Sequence, residues 1–325
     1  MPLWFICILF SQLTWAVGVY LDKYLVTHDE DSDSASDEVG TLVLVSAFFN
    51  AVVAAIVVGV MYILYQEEAW AMIFAFGTEN ILSALFVGVL EIMWLIPYFY
   101  ALGYTDETAA PPLFQTVPVF GFLLGFFVFS EMPTQTQIFA SIAILAGALV
   151  LNLEMAKEAS HSRKISSLFN WRAIGLMLVA SFIVAFSAFI FKDSAEGGNY
   201  GSSAFWMAIG AFITGCFMWL FVPAYRRTFT AFVKEQNYKK LGINLFNETT
   251  DNLAILSFYA AIVLGPATAV VQAGAAYQPI LLLLIGVGLA YLGSHSHKHH
   301  LNVNNLLIKS LGICLIVVGS VFIIR

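Results

Sequence analysis

Three acidic residues stand where acids are costly. Glu91 lies within Val89-Leu90-Glu91-Ile92-Met93-Trp94, and Glu248 and Asp251 lie within Asn247-Glu248-Thr249-Thr250-Asp251-Asn252, at the head of a long apolar run. A carboxylate at the centre of a membrane helix costs roughly 2.5–3.5 kcal/mol. Three of them facing lipid would cost about 8–10 kcal/mol, comparable with the whole stability of a domain. They must therefore face a polar cavity or pair with a base. Glu248 and Asp251 are three apart and share a helix face. At about 1.5 Å per residue, they lie about 12 Å and about 16 Å beyond Lys240, well inside a membrane. Lys309, with Lys23 and Lys192, supplies candidate charge partners. A carboxyl group withdrawn from water favours its protonated form, which suits proton coupling.

The residues around these acids are polarizable and polar: Trp94, Tyr98, Tyr100 and Tyr259, with Gln115, Tyr277 and Gln278. Aromatic faces beside carboxylates suit a cationic or zwitterionic amine; the same aromatics could equally pack helices or sit in interface belts. Other groupings carry less. Asp29, Asp31 and Asp33 imitate the start of a calcium loop, but Ser34 and Gly40 stand where Gly and Glu are required. His295, His297, His299 and His300 share a short loop without supporting partners, so no metal is expected there. Asn247-Glu248-Thr249 is a glycosylation sequon placed too deep for use. No Walker A, His-Glu-x-x-His or Gly-x-Ser-x-Gly element occurs, so the usual signatures of ATP-driven and hydrolytic chemistry are missing. No cofactor is expected.

The elements that must hold these side chains follow from composition. Of 325 residues, 60% are hydrophobic and 11% charged, with mean hydropathy +0.84. Soluble domains carry roughly 25% charged residues, so this is an all-α integral membrane protein. A bilayer core needs about 20 apolar residues per helix. Such windows fall at 3–21, 41–65, 80–102, 109–130, 135–152, 171–191, 203–223, 242–264, 269–291 and 305–323, which predicts ten spans. The first window lacks a basic lead and a cleavage site, and Tyr20, Asp22 and Lys23 end it as a membrane anchor. Cys7, Cys216 and Cys314 all lie in apolar runs and predict no disulfide. A net charge of −7 gives no surface for nucleic acid.

The connectors after the odd-numbered spans hold nearly all the basic residues, among them Arg163, Lys164, Arg226, Arg227, Lys239 and Lys240; the other side holds little beyond Lys192 and Arg325. Positive-inside counting thus places both termini outside the cytoplasm. A polar linker at 154–170 divides the chain into 1–153 and 171–325, and the halves echo each other. Tyr98-Phe99-Tyr100-Ala101 matches Ser257-Phe258-Tyr259-Ala260, and Pro118-Val119-Phe120 matches Pro279-Ile280-Leu281. In that register Glu91 maps onto Thr250, between Glu248 and Asp251. Five spans is an odd number, so a second copy must lie upside down, as in secondary transporters with midplane sites. Pro97, Pro111-Pro112, Pro118, Pro266 and Pro279 predict breaks near membrane depth, as hinges or unwound site segments or as ordinary kinks, with Pro111-Pro112 starting the fourth span late. Gly121-x-x-x-Gly125 predicts a close helix contact, within the chain or in a homodimer.

The order of Ala101-Leu102, Pro118-Val119-Phe120, Glu131, Ala143 and Gly147 resembles the EamA repeat, the ten-helix branch of the drug/metabolite transporter superfamily. The resemblance implies two inverted five-helix repeats, alternating access and, unlike the charge count, cytoplasmic termini. Gly293 replaces the second copy of Glu131, so no role of that Glu is duplicated. The expectation is a secondary transporter in the plasma or inner membrane. It would carry a small amine, amino acid or organic cation, with membrane lipid as its other partner. A membrane-embedded enzyme is disfavoured, since no nucleophile-plus-base pair is visible; a non-transporting scaffold or sensor would use the acids only to pair with Lys309.

Overall fold

The computed structural model describes residues 1–27, 35–75, 77–104, 116–130, 134–159, 171–196, 199–234, 238–291 and 306–324. Among these, helix is the only regular secondary structure. The helices are α1 (Leu3–Thr27), α2 (Ala35–Tyr65), α3 (Glu68–Phe74), α4 (Thr78–Tyr104), α5 (Val117–Phe127) and α6 (Gln135–Ala159). They continue as α7 (Trp171–Glu196), α8 (Tyr200–Phe221), α9 (Pro223–Lys234), α10 (Tyr238–Leu264), α11 (Ala267–Tyr291) and α12 (Leu306–Ile324). Ten fall on the ten apolar windows, while α3 and α9 are short helices in connectors. Among the described residues five are long and apolar enough to cross a membrane: α1, α2, α4, α7 and α8.

Local chemistry sets several boundaries. Asn199, in extended backbone, caps α8 by accepting from the Ser202 amide at 3.0 Å. Pro118 sits in the first turn of α5, where its missing amide costs nothing. Gly77 turns the chain into α4 at φ +84°, a conformation that favours glycine. One expectation, that Pro97 and Pro279 break their helices, needs correction. Pro97 lies inside an unbroken α4, and α11 runs through position 279; their neighbours on the packed helices hold the helical path. Helix α6 continues to Ala159, into the expected linker.

The helices pair across the two halves of the chain. Helix α4 packs on α7 and α8, α10 packs on α1, α2 on α8, α6 on α12, and α11 on α1, α5 and α6; α5 also packs on α7. Small residues permit the closest crossings. A Cβ on Gly88 would lie 2.0 Å from the Met207 carbonyl oxygen, and one on Gly210 would lie 2.2 Å from that of Leu85, so α4 and α8 touch backbone to backbone. The Gly121/Gly125 face is taken up inside the chain, where added Cβ atoms would strike Val271 and Thr268 of α11.

The connector helices lie at opposite ends of α2. At the end of α2, α3 has its last carbonyls bonded by α8: Ser202 Oγ to Met72 at 3.0 Å and Trp206 Nε1 to Ile73 at 2.9 Å. Helix α9 lies against the start of α2, where Gly40 makes room for Tyr225 and Thr228. Its Arg226, Arg227 and Lys234 are exposed. Burial raises the Tyr225 phenol above its ordinary value of 10.0, with a hydrogen bond to Tyr100 as the next cause.

Candidate substrate cavity

Helices α1, α2, α4, α5, α7, α10 and α11 line a cavity of about 160 Å³. Its lining runs from Asp22, Leu102 and Leu282, near the face that carries α9, to Glu91, Ser187 and Tyr259 at mid-depth. Beyond them, Trp4, Phe5, Ile8, Phe189 and Phe191 fill the other end as buried core.

Four carboxyl groups share this space: Asp22, Glu91, Glu248 and Asp251. No lysine, arginine or histidine lines it among the described residues. Asp22 accepts from Asn247 Nδ2 at 2.8 Å, tying α1 to α10. Glu248 is only 4% exposed; Ser46 Oγ donates to its Oε1 at 2.6 Å. Asp251 accepts from the Trp15 indole and interacts electrostatically with Asp22 and Glu91. Glu91 accepts from Tyr259 Oη, from Ser187 Oγ at 3.2 Å and from Trp94 Nε1 at 3.2 Å. Two buried oxygens, Glu248 Oε2 and Asn247 Oδ1, have no hydrogen-bond partner among the described residues. A buried unpaired acceptor costs about 1–3 kcal/mol, more when charged, and no donor among the described residues meets either of these oxygens.

Most of the residues expected from the sequence meet here. Glu91, Trp94, Tyr98, Glu248, Asp251 and Tyr259 line the cavity, as does Gln278. Tyr100 instead bonds Tyr225 at the α9 contact, and Tyr277 stands edge-on to Phe5 in the core. Gln115 lies outside the described residues, as do the 29–33 acidic loop, the 295–300 histidines, Glu131, Gly293 and the side chains of Lys23 and Lys309. Lys192 donates to the Gly265 carbonyl at 3.3 Å and approaches Glu196 at 3.8 Å, away from the cavity acids.

Residues 2–153 match the EamA-like transporter family. That match, over a little under half of the chain, makes this part similar to the family. The family is part of the drug/metabolite transporter superfamily, and its members are membrane transporters. The chain is accordingly an integral membrane protein of the transporter type. One solved crystal structure aligns over 98% of this chain and 95% of its own, with a TM-score of 0.58 and 14% sequence identity, which speaks to the fold alone. No curated protein matches the sequence. The cavity draws on both halves: the EamA-like part supplies Asp22, Ser46 and Glu91, and the remainder supplies Ser187, Glu248, Asp251 and Tyr259.

Asp22, Trp15, Asn247, Ser46 and Ser187 escaped the sequence reading as cavity residues. Asp22 was expected to end a span as an anchor; its closeness to one end of α1 hid its reach into the cavity. Ser46 and Ser187 are single small polar residues in apolar helices, and only their contacts across the bundle reveal them.

Proposed function

We propose that the chain is a secondary transporter that moves a small amine, amino acid or organic cation across the plasma or inner membrane by alternating access. The observation that carries this is the pair of unpartnered buried oxygens, Glu248 Oε2 and Asn247 Oδ1, in a cavity with four carboxyl groups. Like charges confined together repel, so the stable occupancies of the cavity neutralise them with a cation or with protons. An ammonium group supplies both positive charge and N–H donors for the two bare oxygens. The faces of Trp15, Trp94 and Tyr98 line the same space and attract a cation. On this volume measure one water takes roughly 10–15 Å³, so the cavity has room for on the order of ten heavy atoms.

Ten membrane-crossing helices in two inverted repeats, 1–153 and 171–325, form part of the proposal. The packing supports it. Exchanging the halves turns the α4–α7 contact into α10–α1 and α5–α7 into α11–α1, and returns α2–α8 and α6–α12 to themselves. That is the pattern a two-fold relation produces. Rocking one half against the other would expose the cavity to one face of the membrane and then to the other, with the acids near the pivot.

The test is thermal stability of the purified protein with primary and quaternary amines, amino acids, sugars and nucleotides at pH 6 and pH 8. Ligand binding raises the melting temperature by mass action. The expected result is stabilisation by one cationic class, stronger at pH 8 and lost in Glu248→Gln. Stabilisation confined to sugars or anions would overturn the cation reading.

A further inference from the structure

Glu91 differs from Glu248 in having both oxygens partnered, and its partners can be satisfied in two ways. Each hydroxyl group carries one hydrogen. With Glu91 ionised, Tyr259 Oη and Ser187 Oγ both donate to Oε1, the second at 3.2 Å, and Trp94 Nε1 donates to Oε2 at 3.2 Å. With Glu91 protonated on Oε1, that proton is donated to Tyr259 Oη. Tyr259 then turns its hydrogen to Ser187 Oγ, 3.0 Å away, and Ser187 turns its own to the Val184 carbonyl at 2.9 Å. No heavy atom moves between these arrangements, every hydrogen has an acceptor in both, and they differ by one proton.

We propose that Glu91 is the proton-binding residue of the cavity, separate from the cation seat at Glu248 and Asn247. Its role as the coupling site rests on the transporter reading above; its protonation does not. Among the described residues, the titratable groups that share its cavity are Tyr259, Asp251 and Glu248 on α10, Asp22 on α1 and Tyr98 on α4, with Tyr200 of α8 behind Tyr259. From α7 it meets only Ser187, since Lys192 turns to Gly265. A cation arriving near Asp251 favours the ionised state of Glu91, because these two acids interact electrostatically. The ionised arrangement is already built. Cation entry and proton release are thereby linked through space, without both ligands needing the same atoms.

The deciding experiment is pH-difference infrared spectroscopy of the full chain in lipid nanodiscs, following the C=O stretch of protonated carboxyl groups. A protonated-carboxyl band should be lost in Glu91→Gln, persist in Glu248→Gln and Asp251→Asn, and change frequency in Tyr259→Phe, which removes one hydrogen-bond partner. A band unchanged in Glu91→Gln overturns the proposal. If Glu91→Gln does not yield a monodisperse folded protein, Tyr259→Phe decides, and an unmoved band overturns it equally. Amine stabilisation without a Glu91 band sinks this inference alone. A Glu91 band without amine stabilisation sinks the amine-substrate reading alone.

Discussion

Ser46 on α2 donates to Glu248 on α10 through Oε1 and leaves Oε2 without a partner. The acid is thus held in position by one oxygen, while the other stays buried without a partner among the described residues. A half-satisfied buried carboxyl group is poor structural glue, because a buried charge is tolerated only when its remaining lone pairs are met. As a ligand seat the same arrangement is economical, since the missing partner arrives with the substrate.

Replacing Ser46 by Ala should leave both Glu248 oxygens bare. Without ligand, stability should fall by about 1–3 kcal/mol, the usual cost of an orphaned buried acceptor. Saturating amine should recover part of this, because the ligand supplies donors. Chemical denaturation with and without the stabilising amine measures both effects, and equal losses in the two conditions would separate Ser46 from the ligand seat.

The α4–α8 crossing should tolerate no side chain. Gly88→Ala drives a methyl group into the Met207 carbonyl, and overpacking of this kind costs about 3 kcal/mol or more. Gly175→Ala meets nothing within 4 Å on α7; it should stay within about 1 kcal/mol of the parent and on the stable side, by helix propensity. Melting temperatures of the two variants side by side test whether close backbone approach, rather than glycine itself, holds α4 and its Glu91 in place.

Helices α3 and α9 should report from opposite sides of the membrane. Arg226, Arg227 and Lys234 mark the α9 face as the basic one, while α3 begins with Glu68. Positive-inside bias therefore places α9 in the cytoplasm. In a chain with Cys7, Cys216 and Cys314 replaced, Glu67→Cys should react with an impermeant maleimide in intact cells and Lys234→Cys only after lysis. The reverse labelling would place the termini in the cytoplasm, as the family resemblance implies.

The Tyr225 contact should weaken in alkali. Its phenol titrates above its ordinary value because it is buried beside Tyr100. The unfolded chain then releases that proton first, so the contribution of Tyr225 is fully present below about pH 10 and declines as pH rises towards the folded value. Thermal unfolding at pH 9 and pH 11 should show a smaller alkaline loss in Tyr225→Phe than in the parent. An identical loss would mean that Tyr225 makes no contribution to it.

Much of this organisation is legible in one dimension. Continuous apolar runs can only become helices in lipid, where every backbone group must be bonded internally. The same constraint makes an acid inside such a run conspicuous, so Glu91, Glu248 and Asp251 are visible from their neighbours alone. Proline is a weaker guide: Pro97 loses one helical bond, but packing on either side keeps α4 unbroken.

Partnership is what the chain order does not contain. Tyr259 and Ser187 stand 168 and 96 positions from Glu91, and Ser46 stands 202 from Glu248. Nothing in their local context separates them from other small or aromatic residues in apolar helices. Tyr100 and Tyr259 occupy matching places in the echoed Phe-Tyr-Ala motif, yet one bonds Tyr225 and the other bonds Glu91. Residue type and spacing determine that acids lie within the membrane and must be neutralised, because transfer free energy depends on composition and depth. Which acid has both oxygens met by side chains of the bundle and which has one left without a partner among the described residues depends on helix crossing and rotation. Only the tertiary structure decides those.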